Sequence, residues 1–120
     1  MADGQIDLKQ LVHLIYENKD MAANLCLDEG CRIHAEDPKP LVKVINYLIN
    51  FLKELTELPL EISLDLHDDG CTLGLMALNP KNEIPAVSEH LSEALETYQA
   101  ALETVHEKER YLLFKLKFRF

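Results

Sequence analysis

Asp37-Pro38 and, eight residues on, Asn46-Tyr47-Leu48-Ile49-Asn50-Phe51-Leu52-Lys53 form the stretch on which the fold turns. Asp37 offers an acceptor at a helix start, and Pro38 lacks the amide hydrogen that the first turn leaves unpaired. Leu41, Val44, Ile45, Leu48, Leu52 and Leu55 recur at three- and four-residue spacing, so one stripe of this helix is apolar. Pro59 closes it. Asn46, Asn50 and Lys53 fall outside the stripe, on a polar flank.

The text on either side reads in alternation. Ile62, Leu64 and Leu66 alternate with Glu61, Ser63, Asp65 and His67. After His67-Asp68-Asp69-Gly70, Cys71, Leu73, Leu75 and Ala77 alternate back, which predicts a β-hairpin over 60–78. Upstream, Asp7 is placed to cap a helix carrying Leu8, Leu11, Val12 and Ile15 and running to about Ala23. Two short runs, Asn24–Leu27 and Cys31–Ala35, flank Asp28-Glu29-Gly30 and read as a second hairpin. Downstream, a polar loop over 79–85 leads to a long helix with the stripe Val87, Leu91, Ala94, Leu95, Tyr98, Leu102 and Val105. The chain closes on a strand with Leu112, Phe114, Leu116, Phe118 and Phe120 on one face and Lys115, Lys117 and Arg119 on the other.

The expected order is therefore helix, two strands, helix, two strands, helix, strand. Strands with one apolar face and helices with one apolar stripe bury both in an α+β, two-layer sandwich. A mixed, mostly antiparallel sheet of about five strands would carry three helices on one face. The other face, with Ser63, Asp65, Lys115 and Lys117, can stay wet. No repeat or linker divides residues 1–120, so one domain is expected.

Twenty-one acidic against twelve basic residues give a net charge of −9, which disfavours a nucleic-acid partner. No apolar run is long enough to span a bilayer and the N-terminus is polar, so a cytoplasmic location is expected. Three cysteines, Cys26, Cys31 and Cys71, suit reduced thiols better than a disulfide framework. Cys26-x4-Cys31-x2-His34 and His67-x3-Cys71 fit no standard zinc spacing, and no metal site is expected from them.

From Ile6 to about Pro85 the chain resembles the ATP-binding catalytic domain of sensor histidine kinases, of the GHKL ATPase fold. The resemblance rests on Ile6-Asp7-Leu8 at a helix entry, Asp37, the pattern Asn46, Asn50, Lys53 on the following helix, and the hairpin at 60–78. It implies that Asn50 would coordinate magnesium and that Lys53 would reach a phosphate of Mg-ATP. Amide oxygen is a suitable hard ligand and lysine neutralises phosphate charge. The family's next motif, Asp-x-Gly-x-Gly, supplies a carboxylate for adenine and bare backbone for close approach. Here that place holds Asn79-Pro80-Lys81-Asn82-Glu83, and no glycine follows Gly74. Phe51 replaces the usual small residue. Without glycines the anion cradle and the lid are missing.

The resemblance and its gaps together imply a non-catalytic, ATPase-fold binding or regulatory module in bacterial two-component-type signalling, with no cofactor. A response regulator or a kinase is the expected protein partner. The terminal strand is expected at a sheet edge, with Lys115, Lys117 and Arg119 as interaction residues; a homodimer through that edge is an alternative. A second alternative is a minimal Mg-ATP-binding kinase using Asn46, Asn50, Lys53 and Asn79. A third is a structural protein of unrelated function. His13 could be weighed as a phosphoacceptor, but Leu-Val-His-Leu-Ile places it beside an apolar stripe, where a packed histidine is the simpler reading. No nucleophile stands beside a base, and no catalytic residue is assigned.

Overall fold

A computed structural model describes residues 4–120. The elements in chain order are β1 (Gln5–Asp7), α1 (Leu8–Glu17), β2 (Ala23–Leu27), β3 (Arg32–His34), α2 (Lys39–Lys53), β4 (Leu60–His67), β5 (Gly70–Leu78), α3 (Leu91–Glu96), β6 (Ala100–Glu107) and β7 (Tyr111–Arg119). The principal sheet has the order β2-β4-β5-β7-β6, antiparallel except for β2 against β4. A small antiparallel sheet, β1-β3, stands apart from it. This is the α+β sandwich with a mixed five-stranded sheet and three helices.

Local chemistry sets the helix ends. The Asp7 carboxylate accepts the Gln10 amide hydrogen at 3.3 Å and starts α1. At the other end Asn18 returns both its backbone and side-chain amides to the Leu14 carbonyl, so the helix stops well short of Ala23. Asp37 accepts the Lys39 amide at 3.0 Å ahead of α2. The stripe read from the sequence is buried along α2: Leu41, Val44, Ile45, Leu48 and Leu52, joined by Ile49. It meets Leu64, Leu73, Leu75, Phe114 and Leu116 from the sheet, all without exposed surface. Burial of such side chains is worth about 1.5–3 kcal/mol each, and it holds the two layers together.

The hairpin β4–β5 forms in the expected register, Ile62 opposite Leu75 and Leu64 opposite Leu73. Leu66 departs from its row and is 43% exposed near the tip. Gly70 is required there by contact: a Cβ would lie 1.9 Å from the Phe118 carbonyl oxygen.

Three expectations are corrected. The runs 24–27 and 31–35 do not pair with each other. β2 runs parallel to β4, Cys26 opposite Ser63, and β3 pairs with β1. The Asp28 carboxylate, instead of closing a turn, accepts the Leu66 amide at 2.9 Å. The parallel pair needs a long crossover, which β3 and α2 provide.

The long C-terminal helix is likewise replaced. Its helical part is only Leu91–Glu96; Gln99 takes φ +52° and Ala100–Glu107 is a strand. Pairing of β6 along β7, Leu102 opposite Leu116, overrides the helical spacing of those residues.

The terminal strand is not at an edge. β7 lies between β5 and β6, and β2 and β6 are the edges. A homodimer through a β7 edge is therefore excluded by topology. Lys115, Lys117 and Arg119 do face the open side of the sheet, as expected, but from its interior. Lys117 bonds Glu103 at 2.8 Å, and that ammonium holds the Glu103 carboxyl below the usual range.

Candidate functional site

The polar flank of α2 and the loop after β5 carry the residues that the sequence singled out. Asn46 is half-buried and Asn50 exposed. The Asn50 amide oxygen accepts a hydrogen bond from the Lys19 ammonium at 3.0 Å, so its side chain is engaged from the α1 side. Lys53 is exposed one turn on and lines a cavity of about 820 Å³ together with Glu54, Asn79, Lys81, Asn82 and Glu109. Lys53 and Asn79 thus share a cavity; Asn46 and Asn50 are not among its walls. Asn79 has φ +51°, a left-handed conformation that asparagine tolerates better than most side chains, and its amide donates to the Arg110 carbonyl at 2.8 Å.

The loop beyond Asn79 is fastened to the end of α2. The Lys81 amide donates to the Leu55 carbonyl at 2.9 Å, and the Thr56 hydroxyl donates to the Leu78 carbonyl at 2.6 Å. Pro80 is buried, while Lys81, Asn82 and Glu83 project into solvent. Further along, the Ser88 amide donates to the Tyr47 hydroxyl at 3.0 Å. Tyr98, buried at the end of α3, receives the Leu41 amide at 3.1 Å and donates to the Asp37 carbonyl at 2.5 Å. Burial raises its phenol above the ordinary range.

Neither tyrosine was marked by the sequence as anything but bulk. In the sequence Tyr98 belongs to a helical stripe; its role as a clamp on the start of α2 depends on a contact 57 residues away. Phe51 turns inward, its ring 5.6 Å from that of Phe114 in an edge-on contact and 6.1 Å from that of Tyr47. It packs α2 on the sheet.

His13 is half-buried and shares a polar groove with Asp7, Lys9, Glu29 and Arg32, where Lys9 bonds Glu29 at 3.2 Å. Cys31 and Cys71 are buried together, with burial pushing both thiols up, Cys71 to about 12. Cys26 is exposed on β2. Among the described residues no three or more His, Cys, Asp or Glu side chains gather in a way that could hold a metal ion. No helix among them is long and apolar enough to cross a membrane.

No protein-family model and no curated protein matches the sequence. Solved structures do match. The histidine kinase domain of the E. coli osmosensor EnvZ superposes with a TM-score of 0.77 at 9% identity, covering 99% of this chain and 89% of that one. The ATP-binding domain of PrrB from Mycobacterium tuberculosis gives 0.66 at 11% identity, covering 96% of this chain and 95% of that one. The fold is that of a histidine-kinase ATPase domain. It is shared by a bacterial phosphotransferase, with a TM-score of 0.65 at 12% identity over 96% of this chain and 65% of the other. Identities this low speak for the histidine-kinase ATPase fold alone.

Proposed function

We propose that this chain is a protein-binding module built on the histidine-kinase ATPase fold, serving two-component-type signalling without nucleotide or metal. The observation that carries this reading is the course of residues 79–88. Where kinase ATPase domains are expected to keep glycines and a lid, proline and three long polar side chains stand on a loop tied to Leu55 and Tyr47. Two amides of this loop, those of Lys81 and Ser88, are already committed to Leu55 and Tyr47, and no glycine lets the remaining backbone approach phosphate oxygens closely. The Lys19 ammonium on the Asn50 amide oxygen also competes for the group that would hold magnesium. Similarity to a phosphotransferase as well as to kinases suits a module that docks in a phosphorelay.

A second reading has one observation in its favour. Lys53 and Asn79 border the same 820 Å³ cavity, room enough for a nucleoside phosphate. In that reading the chain is a minimal Mg-ATP-binding kinase. Thermal unfolding in millimolar Mg-ATP separates the two. The module should show no shift of its midpoint. A ligand at a hundred times its Kd would stabilise by about 2.7 kcal/mol, so a saturable rise that vanishes in Asn50→Ala would overturn the proposal.

A further inference from the structure

A further concavity, of about 430 Å³, opens between the first half of α2 and the start of α3. Its walls are apolar: Pro40 and Val44 from α2, Leu91 and Ala94 from α3, with the Tyr47 ring beside them. Its rim carries Lys39, Lys43 and His90. Lys39 and Lys43 are one helical turn apart on the same face, both exposed, and neither ammonium has an acidic partner among the described residues. Like charges at that spacing repel. Asp37, the one acid on the rim, already has its carboxylate on the Lys39 amide.

We propose that this concavity docks an acidic amphipathic segment of a protein partner, an apolar side chain entering between α2 and α3 while flanking carboxylates meet Lys39 and Lys43. The inference rests on the binding-module reading and names the chemistry of its partner. Charge complementarity decides the occupant. In a chain of net charge −9, an apolar hollow rimmed by unpaired lysines draws acids and turns away bases. The other hollows differ. The 820 Å³ cavity sets Glu54, Glu57 and Glu109 against its two lysines, and in the groove beside α1 Lys9 is already paired with Glu29. The walls are also preformed, since Tyr47 holds Ser88 and Tyr98 holds the start of α2 before any partner arrives. Binding then costs little ordering of the site.

The experiment is an amide chemical-shift titration of the whole chain with a blocked peptide of alternating leucine and glutamate, and with its leucine–lysine counterpart. The acidic peptide should give saturable shifts at Val44, Ser88, Leu91 and Ala94 that the lysine peptide does not. Lys39→Glu with Lys43→Glu should weaken binding by at least about tenfold, and Ala94→Trp, which fills the hollow, should remove it. Absence of saturation, shifts of equal size with the lysine peptide, or binding that survives both variants would overturn the docking site. Mg-ATP is titrated separately. Saturable ATP shifts that leave the peptide's binding untouched would defeat the nucleotide-free reading alone; ATP displacing the peptide from the same amides would defeat both.

Discussion

Residues 4–79 with the sheet strands β6 and β7, and residues 80–99, are attached to helix α2 by different forces. The first region holds α2 by burial: Leu41, Ile45, Leu48 and Leu52 have no exposed surface against the β4–β5 hairpin and its neighbours. In the second, the buried side chains are Pro80, Leu91, Leu95 and Tyr98, and the attachment runs through hydrogen bonds of Lys81, Ser88 and Tyr98. The difference teaches which part of this fold should yield first. The burial-held region contains Asn46, Asn50 and Lys53, residues on which the resemblance to histidine kinases rests. The strapped region carries proline and the long polar side chains Lys81, Asn82 and Glu83. Segments held by few buried contacts also open first.

The largest test strikes the burial-held region. Phe114 is fully buried on β7 and meets Phe51 of α2 edge-on. Phe114→Ala should cost about 3–5 kcal/mol, read as a lowered urea midpoint at unchanged slope. A loss under about 1 kcal/mol would mean that α2 is not held by this packing and would break the contrast.

How much of this was legible follows the same division. α2 and the β4–β5 hairpin were readable because each residue there serves one pattern, helical stripe or strict alternation. Ala100–Glu107 was not, since Leu102 and Val105 continue the helical spacing of Leu91 and Leu95 while also suiting a strand. The deciding facts are non-local: Gln99 at φ +52° and the pairing with β7. The turn after β6 is equally silent, because Glu109 takes φ +69° without a glycine to announce it. Asp28-Glu29-Gly30 misled for a related reason, the carboxylate being used on Leu66 across the fold. Asn46, Asn50 and Lys53, which the sequence puts outside the apolar stripe, lie half-buried or exposed on α2. That Lys19 would reach Asn50 could not be read from spacing alone.

Alkaline pH sharpens the contrast by loading each region with its own titrating group. Burial raises Cys71 from 9.0 to about 12 in the first region and raises Tyr98 above 10.0 in the second. Both are held protonated in the folded state, while the unfolded chain releases the thiol proton from about pH 9 and the phenol proton from about pH 10. Stability is therefore full below those values and falls as pH rises toward the folded pKa, by up to about 1.4 kcal/mol per pH unit and group. Burial raises Cys31 as well, so Cys71→Ala should lessen the fall that begins near pH 9 and Cys31→Ala with Cys71→Ala should flatten it, while Tyr98→Phe should flatten the part that begins near pH 10. An unchanged slope in all these variants would remove the burial explanation.

At neutral pH Tyr98→Phe isolates the strap. The ring stays and the hydroxyl goes, leaving the Leu41 amide and the Asp37 carbonyl without their partner. The expected cost is about 1–3 kcal/mol. Hydrogen exchange should quicken over residues 80–99 more than in β4 and β5. Uniform acceleration across the whole sheet would show the two regions to be one cooperative unit.

The smallest effect is expected at the joint between the regions. Gln99 occupies the left-handed region at φ +52°, where a Cβ is strained and glycine is not. Gln99→Gly relieves that strain but loosens the unfolded chain, and the two nearly offset, leaving a gain of about 0.5 kcal/mol. Glu109→Gly, at φ +69° in the β6–β7 hairpin, is its control within the sheet. On the expectation that the strap opens without unfolding the sheet, the gain at Gln99 should appear as slowed exchange over 80–99 with a global midpoint nearly unmoved. The gain at Glu109, inside the sheet, should appear in the midpoint itself. If Gln99→Gly raises the midpoint as much as Glu109→Gly does, the strap melts only with the sheet, and the division between the two regions is one of sequence and not of stability.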